Sequence, residues 1–342
     1  MDERDDILLG PMPVLGLADA RLSIAGCWST WCQILLWATP YIKAYDHLLP
    51  NDTPPLSPVS RVELHMLTEC SWRENDRGGI PVALHGLEPG RAWMRPGEVD
   101  TVNLHSGTHF HLKYDPIPSL LICHNPQDPS HVLEVLQVVR GLLLGALTSA
   151  GVVPIHGAVC IINDVGVLLV GEKGAGKTSF LLSALRSFPK STFVTNDKAI
   201  VLREESLTLF GLPYAVGIGK GTLEAVPELR GHDERWEADK LMLWPYALGE
   251  RLSCALSETT RVRQVWICSL DLRADDITIT PIADQQEQPA TVSISAFSDV
   301  MNPTWLLRIL HWPEPQLPAI TGDSITWFRV AGNPWRGKWR FL

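Results

Sequence analysis

The chain lacks several features that would place it outside the cytoplasm. Residues 1–6 are mostly acidic, the reverse of the basic opening of a secretory leader. No apolar run is long enough to span a bilayer. The nearest, Leu22 to Ala38, is interrupted by Ser23, Ser29, Thr30 and Gln33, and predicts a partly buried helix or a strand pair. The seven cysteines are odd in number and include no C-x-x-C pair. Cys160 and Cys268 sit in apolar runs and read as small buried hydrophobes of a reducing compartment. Excess positive charge is also missing, since 29 basic residues against 38 acidic ones leave a net −9. Such a chain does not bind nucleic acid through its overall field, although a local basic pocket for phosphates remains compatible with it. Internal repeats and low-complexity tracts are absent. The expectation is a cytoplasmic protein with neither a membrane nor a nucleic acid as partner.

What the chain does have is enough apolar content, 45% over 342 residues, for two domains with real cores. Residues 1–125 read as a β-rich α+β domain. Alternating segments such as Arg61 to Leu67 and Thr108 to Leu112 are broken by Gly and Pro, and Pro50 to Pro58 reads as an exposed connector. Apolar residues at helical spacing from Val132 to Leu143 predict a helix over 130–150, ending near Gly151. The second domain takes residues 126–342.

That second domain carries Gly171-Glu172-Lys173-Gly174-Ala175-Gly176-Lys177-Thr178, a G-x-x-x-x-G-K-[ST] phosphate loop. Gly171, Gly174 and Gly176 let the backbone turn tightly, so that the N–H groups of Lys173, Ala175 and their neighbours can face phosphate oxygens. Lys177 supplies a point charge for the outer phosphates, and the Thr178 hydroxyl suits Mg²⁺. Val165 to Val170 reads as the strand feeding the loop, and Ser179 to Arg186 as the helix that places phosphate at its N-terminus. Upstream, Ile155 to Ile162 and Val165 to Val170 are joined by Asn163-Asp164, which predicts a β-hairpin. Common P-loop enzymes lack such an antiparallel partner before the loop strand. Thr192 to Asp197 predicts a strand ending in polar groups, expected beside the loop strand. Ala199 to Leu202, Leu207 to Phe210 and Ala215 to Gly219 read as further strands.

These elements together resemble the catalytic domain of HPr kinase/phosphorylase and its relatives. The resemblance rests on His156-Gly157-Ala158, the hairpin, residues 166–179, and Val194 to Lys198. Segments Gly211 to Gly219 and Asp239 to Leu243 follow in the order seen in the HPr-kinase-like branch. That branch includes kinases encoded beside peptide natural-product genes, such as those acting on lasso-peptide precursors. The similarity covers roughly residues 150–270. It implies an α/β class: an HPr-kinase-like C-terminal P-loop domain with a mixed or antiparallel sheet, related to phosphoenolpyruvate carboxykinase, preceded by the smaller β-rich domain. It further implies ATP and Mg²⁺ as cofactors and phosphoryl transfer to a serine-type hydroxyl of a peptide, small protein or small molecule. A homo-oligomer is compatible with it.

Phosphoryl transfer needs charge neutralisation, positioning and some help for the attacking hydroxyl. Residues 171–179, Ser179 included, form the expected nucleotide site, with Mg²⁺ between Thr178 and Asp197. The family has two consecutive acids at the second strand end, the first acting as base. Here Asn196 stands first, and an amide orients a hydroxyl or a metal-bound water but takes no proton. His156 is the substitute base, the alternative being a structural histidine. Asn196 also keeps open a nucleotide-binding regulatory subunit with little transfer activity, and another P-loop ATPase is a third reading. Lys240 is a candidate second phosphate contact or a solvated lysine. Arg261 and Arg263 are candidates for stabilising the transferring charge, or surface residues. His109 and His111 share one strand face, with His105 nearby, and are expected to be structural or surface histidines rather than metal ligands. The tryptophans, 13 in all, cluster late at Trp305, Trp312, Trp327, Trp335 and Trp339. They predict a C-terminal segment packed back on the core, or a peptide-docking surface.

Overall fold

The computed structural model describes residues 5–8, 21–24, 63–67, 79–83, 89–103, 107–113, 119–123, 153–203, 207–212, 215–231, 236–237, 239–282 and 325–341. It is a mixed α/β structure in which the described residues form two compact units, divided between Gly151 and Val152. The helix expected over 130–150, the connector at 50–58, and Trp305 and Trp312 lie outside the described residues.

The first unit holds an eight-stranded sheet. Its strands are β1 (Asp5–Leu8), β2 (Arg21–Ile24), β3 (Glu63–Leu67), β4 (Ile80–Ala83), β5 (Pro89–Arg95), β6 (Glu98–Asn103), β7 (His109–Lys113) and β8 (Ser119–Cys123). They lie in the order β1-β2-β3-β8-β7-β6-β5-β4. Strands β4 to β8 form an antiparallel meander, and β3 joins β8 and β2 in parallel. Alternation puts Glu98 and Asp100 of β6 beside His109 and His111 of β7. His111 Nδ1 lies 2.7 Å from Asp100 Oδ1, His109 Nε2 lies 3.3 Å from the same oxygen, and His111 Nε2 lies 3.8 Å from Glu98 Oε2. The histidines thus lie against a buried carboxylate from the adjacent strand, a pairing that spacing along one strand does not show. Burial pulls the His109 pKa down, the Asp100 charge opposes this, and His111 adds to the lowering.

The second unit begins with β9 (Val153–His156), β10 (Ala158–Ile162) and β11 (Val165–Val170), followed by helix α1 (Lys177–Ser187). β10 and β11 form the predicted hairpin, with Ile162 opposite Val165. Asn163 and Asp164 take φ of 50° and 66°, the left-handed pair that a type I′ turn requires and that Asn and Asp tolerate. The run from Ile155 to Ile162 is not one strand, however. It breaks at Gly157, where a β-carbon would stand 2.9 Å from the Leu169 carbonyl oxygen and 2.8 Å from Leu168 Cδ1. β9 turns away there to pair with β13 (Lys198–Arg203), while β10 pairs with β12 (Ser191–Thr195). A second corner, at Asn196-Asp197, joins those two strands and is tied to the first by Gly157 N–H donating to the Asp197 carbonyl at 3.0 Å.

Beyond these come β14 (Thr208–Gly211), β15 (Val216–Gly219), α2 (Lys220–Ala225), β16 (Trp236–Glu237), β17 (Lys240–Leu243), α3 (Pro245–Leu252), β18 (Ala255–Leu256) and β19 (Thr259–Leu270). The chain closes with β20 (Ile277–Pro281), β21 (Thr326–Gly332) and β22 (Trp339–Phe341). The large sheet runs β18-β12-β10-β11-β19-β14-β13-β9, with β21 also on β19 and β20 joining β21 to β22. β11 is antiparallel to β10 and parallel to β19, which is parallel to β21, so the sheet is mixed. β12 is not beside the loop strand as expected: the hairpin strand β10 is inserted between them.

Phe180 to Leu185 are all buried, so α1 has no wet face there and must be covered all round. The sheet covers one flank. Val216, Ile218, Leu223, Leu241, Leu243 and Leu248, from β15, α2, β17 and α3, complete the cluster. Ser183 keeps its hydroxyl satisfied inside this core by donating to the Pro334 carbonyl at 2.6 Å. The late aromatics pack inward. Trp327 is buried, and the Trp339 ring lies 5.5 Å from those of Phe188 and Trp266 and 6.3 Å from Phe180.

Candidate functional site

The loop after β11 is set by its glycines. Gly174 and Gly176 have φ of 90° and 89°, and Gly171 has 148°. A β-carbon at Gly171 would meet Ala175 Cβ at 2.9 Å and the Cys268 carbonyl at 3.2 Å. One at Gly176 would meet Leu270 Cβ at 2.9 Å, whereas the position over Gly174 is open. The loop therefore rests on the end of β19. Cys268 and Leu270 form that bed; the sequence marks Cys268 as a small buried hydrophobe but does not place either residue under the loop. Their signal lies in the parallel β11–β19 register, which no linear motif contains.

No side chain caps α1, its N-cap is Gly176, and no acidic residue stands in its first turn. Its first N–H groups are left for an anion. Lys177 lies across the loop, its ammonium donating to the Gly171 carbonyl at 2.8 Å and the Glu172 carbonyl at 3.2 Å. Burial lowers its pKa, while the negative charge of Asp197 acts in the opposite sense.

Asp197 stands at the β12–β13 corner and His156 at the end of β9, so the paired corners bring the two together. His156 Nε2 lies 3.1 Å from Asp197 Oδ1. Burial alone would raise the Asp197 pKa. The hydrogen bond from His156 and the charges of Lys198, His156 and Lys177 outweigh it and hold the carboxyl below its usual range. The carboxylate is still 44% exposed while His156 is 14% exposed, so the acid faces the site opening and the imidazole backs it. Lys198, buried beside this acid, is a second contributor that sequence reading passed over, although it directly follows Asp197. Asn196 is buried, and its amide oxygen meets no donor among the described residues. An orphaned buried acceptor of this kind costs about 1–3 kcal/mol.

Among the described residues no three His, Cys, Asp or Glu side chains could hold a metal by themselves. Mg²⁺ typically takes one or two protein oxygens and completes its shell from phosphates and water. The glycine cradle, the uncapped helix start and the ionised Asp197 fit a Mg²⁺-nucleotide.

Other sequence candidates fall elsewhere. Val262 pairs with Gly166 at the start of β11, so Arg261 and Arg263, exposed on either side of it, sit at the end of the strand away from the loop. Lys240 lays its stem over Gly217, its Cδ 3.2 Å from where a β-carbon there would stand.

No protein-family model matches the chain, and no curated protein does. Among solved structures, the Hpr(Ser) kinase/phosphatase from Coxiella burnetii is similar at 18% identity with a TM-score of 0.23. The match covers 34% of this chain and 59% of that one, so the chain spans a little over half of that protein.

Proposed function

We propose that the second unit is an ATP-dependent phosphotransferase acting on a serine-type hydroxyl of a peptide, small protein or metabolite. One observation carries this reading: the phosphate loop, with Lys177 in the field of an ionised Asp197 that is itself hydrogen-bonded by His156. The sequence resemblance to HPr-kinase-like catalytic domains supports it.

In the transfer, the acceptor oxygen forms a bond to the γ-phosphorus, the bond from that phosphorus to the β–γ bridging oxygen breaks, and ADP leaves. The loop amides and Lys177, once moved off the carbonyls of Gly171 and Glu172, balance the charge of the phosphates. Bound Mg²⁺, held through Thr178 and Asp197, would add charge neutralisation. The depressed basicity of Asp197 makes it a poor proton acceptor and a good oxyanion ligand. The hydroxyl proton is assigned to His156, on the ring nitrogen that does not donate to Asp197. Asn196, whose amide oxygen is buried beside this acid, takes no proton.

A second reading, a nucleotide-binding regulatory subunit, rests on Asn196 standing where the family has an acid. The deciding experiment is a transfer screen with γ-labelled ATP against serine peptides, peptides of the natural-product class included, and free hydroxyl metabolites. Label on an acceptor, lost in Lys177→Ala, supports the kinase. Tight ATP binding without transfer to any acceptor, with transfer gained in Asn196→Asp, supports the regulatory subunit.

A further inference from the structure

A second Gly-Lys pair stands beside the first. Gly219-Lys220-Gly221-Thr222 repeats the pattern of Gly176-Lys177-Thr178-Ser179: glycine, lysine, any residue, hydroxyl. The two hydroxyls meet, Ser179 Oγ lying 3.4 Å from Thr222 Oγ1. Further along, Arg186 of α1 reaches the Ala225 carbonyl at 3.4 Å and Glu228 at 2.7 Å. The first turn of α1 thus touches the first turn of α2, and an arginine from the last turn of α1 reaches the end of α2. Each lysine lies two residues before its hydroxyl. Lys220 and Lys177 thus both belong to the first turns that this contact joins. A β-carbon at Gly219 or Gly221 would meet nothing within 4 Å, so the ground around Lys220 is open.

We propose that Lys220 is a second phosphate-binding cation of the nucleotide site, held on Asp239 until a triphosphate draws it off. The proposal rests on the reading of residues 171–178 as an ATP site. Lys220 Nζ lies 2.7 Å from Asp239 Oδ1, with the side chains 65% and 86% exposed. Exposed pairs of this kind hold weakly. A triphosphate presents several charged oxygens where Asp239 presents one carboxylate, so the exchange favours the nucleotide. Both lysines are thus parked on protein oxygens, Lys177 on its loop carbonyls and Lys220 on a carboxylate, and both turn to phosphate. Because Lys220 approaches from α2, its contact falls on the outer phosphates, and AMP does not engage it.

Calorimetry of the full chain with MgATP and with AMP tests this. Lys220→Met should weaken MgATP binding roughly 10-fold, the scale of one charge-assisted contact, and leave AMP binding unchanged. Lys220→Arg should restore most of it. Asp239→Asn, which frees the lysine, should tighten MgATP binding. Unaltered MgATP affinity in Lys220→Met, or an equal loss for AMP, overturns the role of Lys220. Lys177→Ala separates the two readings: where it weakens MgATP binding while Lys220→Met does not, only the second cation falls. Where Lys177→Ala binds MgATP as the parent does, the nucleotide site falls and this proposal with it.

Discussion

Lys177, His156 and Asn196 each make a separable prediction. Among the described residues Lys177 hydrogen-bonds to backbone carbonyls of its own loop, so Lys177→Ala should leave the fold intact. It should reduce MgATP affinity by about 1.5–3 kcal/mol, measured by calorimetry. His156 contacts Asp197, and we assign it the proton, so His156→Ala should lower kcat roughly 10²-fold with little change in ATP affinity. Full activity in that variant would make the imidazole structural. Asn196→Asp puts a carboxylate where a buried amide oxygen now has no donor. If base assistance limits the rate, turnover should rise. If repulsion from the phosphates dominates, MgATP affinity should fall instead. Measuring kcat and KM on one acceptor distinguishes the two. The sequence showed the residue types at this site but not their partners. His156 and Asp197 lie far apart along the chain, and the pairing of β9 with β13, which sets His156 opposite Lys198, together with the tie from Gly157 N–H to the Asp197 carbonyl, brings them within 3.1 Å.

The elements around the loop depend on two positions without side chains, Gly157 and Gly211. A β-carbon at Gly211 would stand 2.6 Å from the Val194 carbonyl oxygen, as one at Gly157 would crowd that of Leu169. Backbone atoms do not give way as a flexible side chain does, so Gly157→Ala should destabilise the second unit by about 1–3 kcal/mol. A denaturant midpoint equal to the parent's would show that the corner relaxes. Local elements were the most legible part of the sequence. The strand Val165–Val170, the turn at Asn163-Asp164 and the helix after the loop all follow from apolar runs, turn chemistry and glycine spacing. The break at Gly157 was hidden because a glycine inside an apolar run reads the same whether the strand continues or bends. The separation of β12 from β11 was hidden because strand order is set by packing and leaves no local mark. In the first unit, alternation revealed β7, yet Asp100 came to His111 only through cross-strand register.

Across the whole chain, the two units answer acid differently. In the first, His109 is held neutral by burial, with a pKa below its ordinary 6.5. The unfolded chain takes up a proton near pH 6.5, and the folded unit does so only at lower pH, so stability falls as pH drops below about 6.5. In the second, Asp197 is held ionised, with a pKa below its ordinary 3.8. That stabilisation is complete above about pH 4 and fades only at lower pH. Amide exchange between pH 7 and 5 should therefore show β6 and β7 losing protection first. Parallel losses in β11 and β12 over that range would contradict the assignment. The parallel pairing of β19 with β21 has a consequence for the order in which the unit can be completed. β21 begins at Thr326, long after β19 ends at Leu270, and the phosphate loop leans on Cys268 and Leu270 of β19. On a ribosome making about 5–20 residues per second, the far edge of β19 waits on the order of 3–10 s for its partner. Nucleotide offered to the nascent chain in that interval meets a loop whose supporting strand is bare on one side. On the proposed reading of the loop, secure binding of ATP is a late event in synthesis, and the exposed edge of β19 is where a chaperone would be needed.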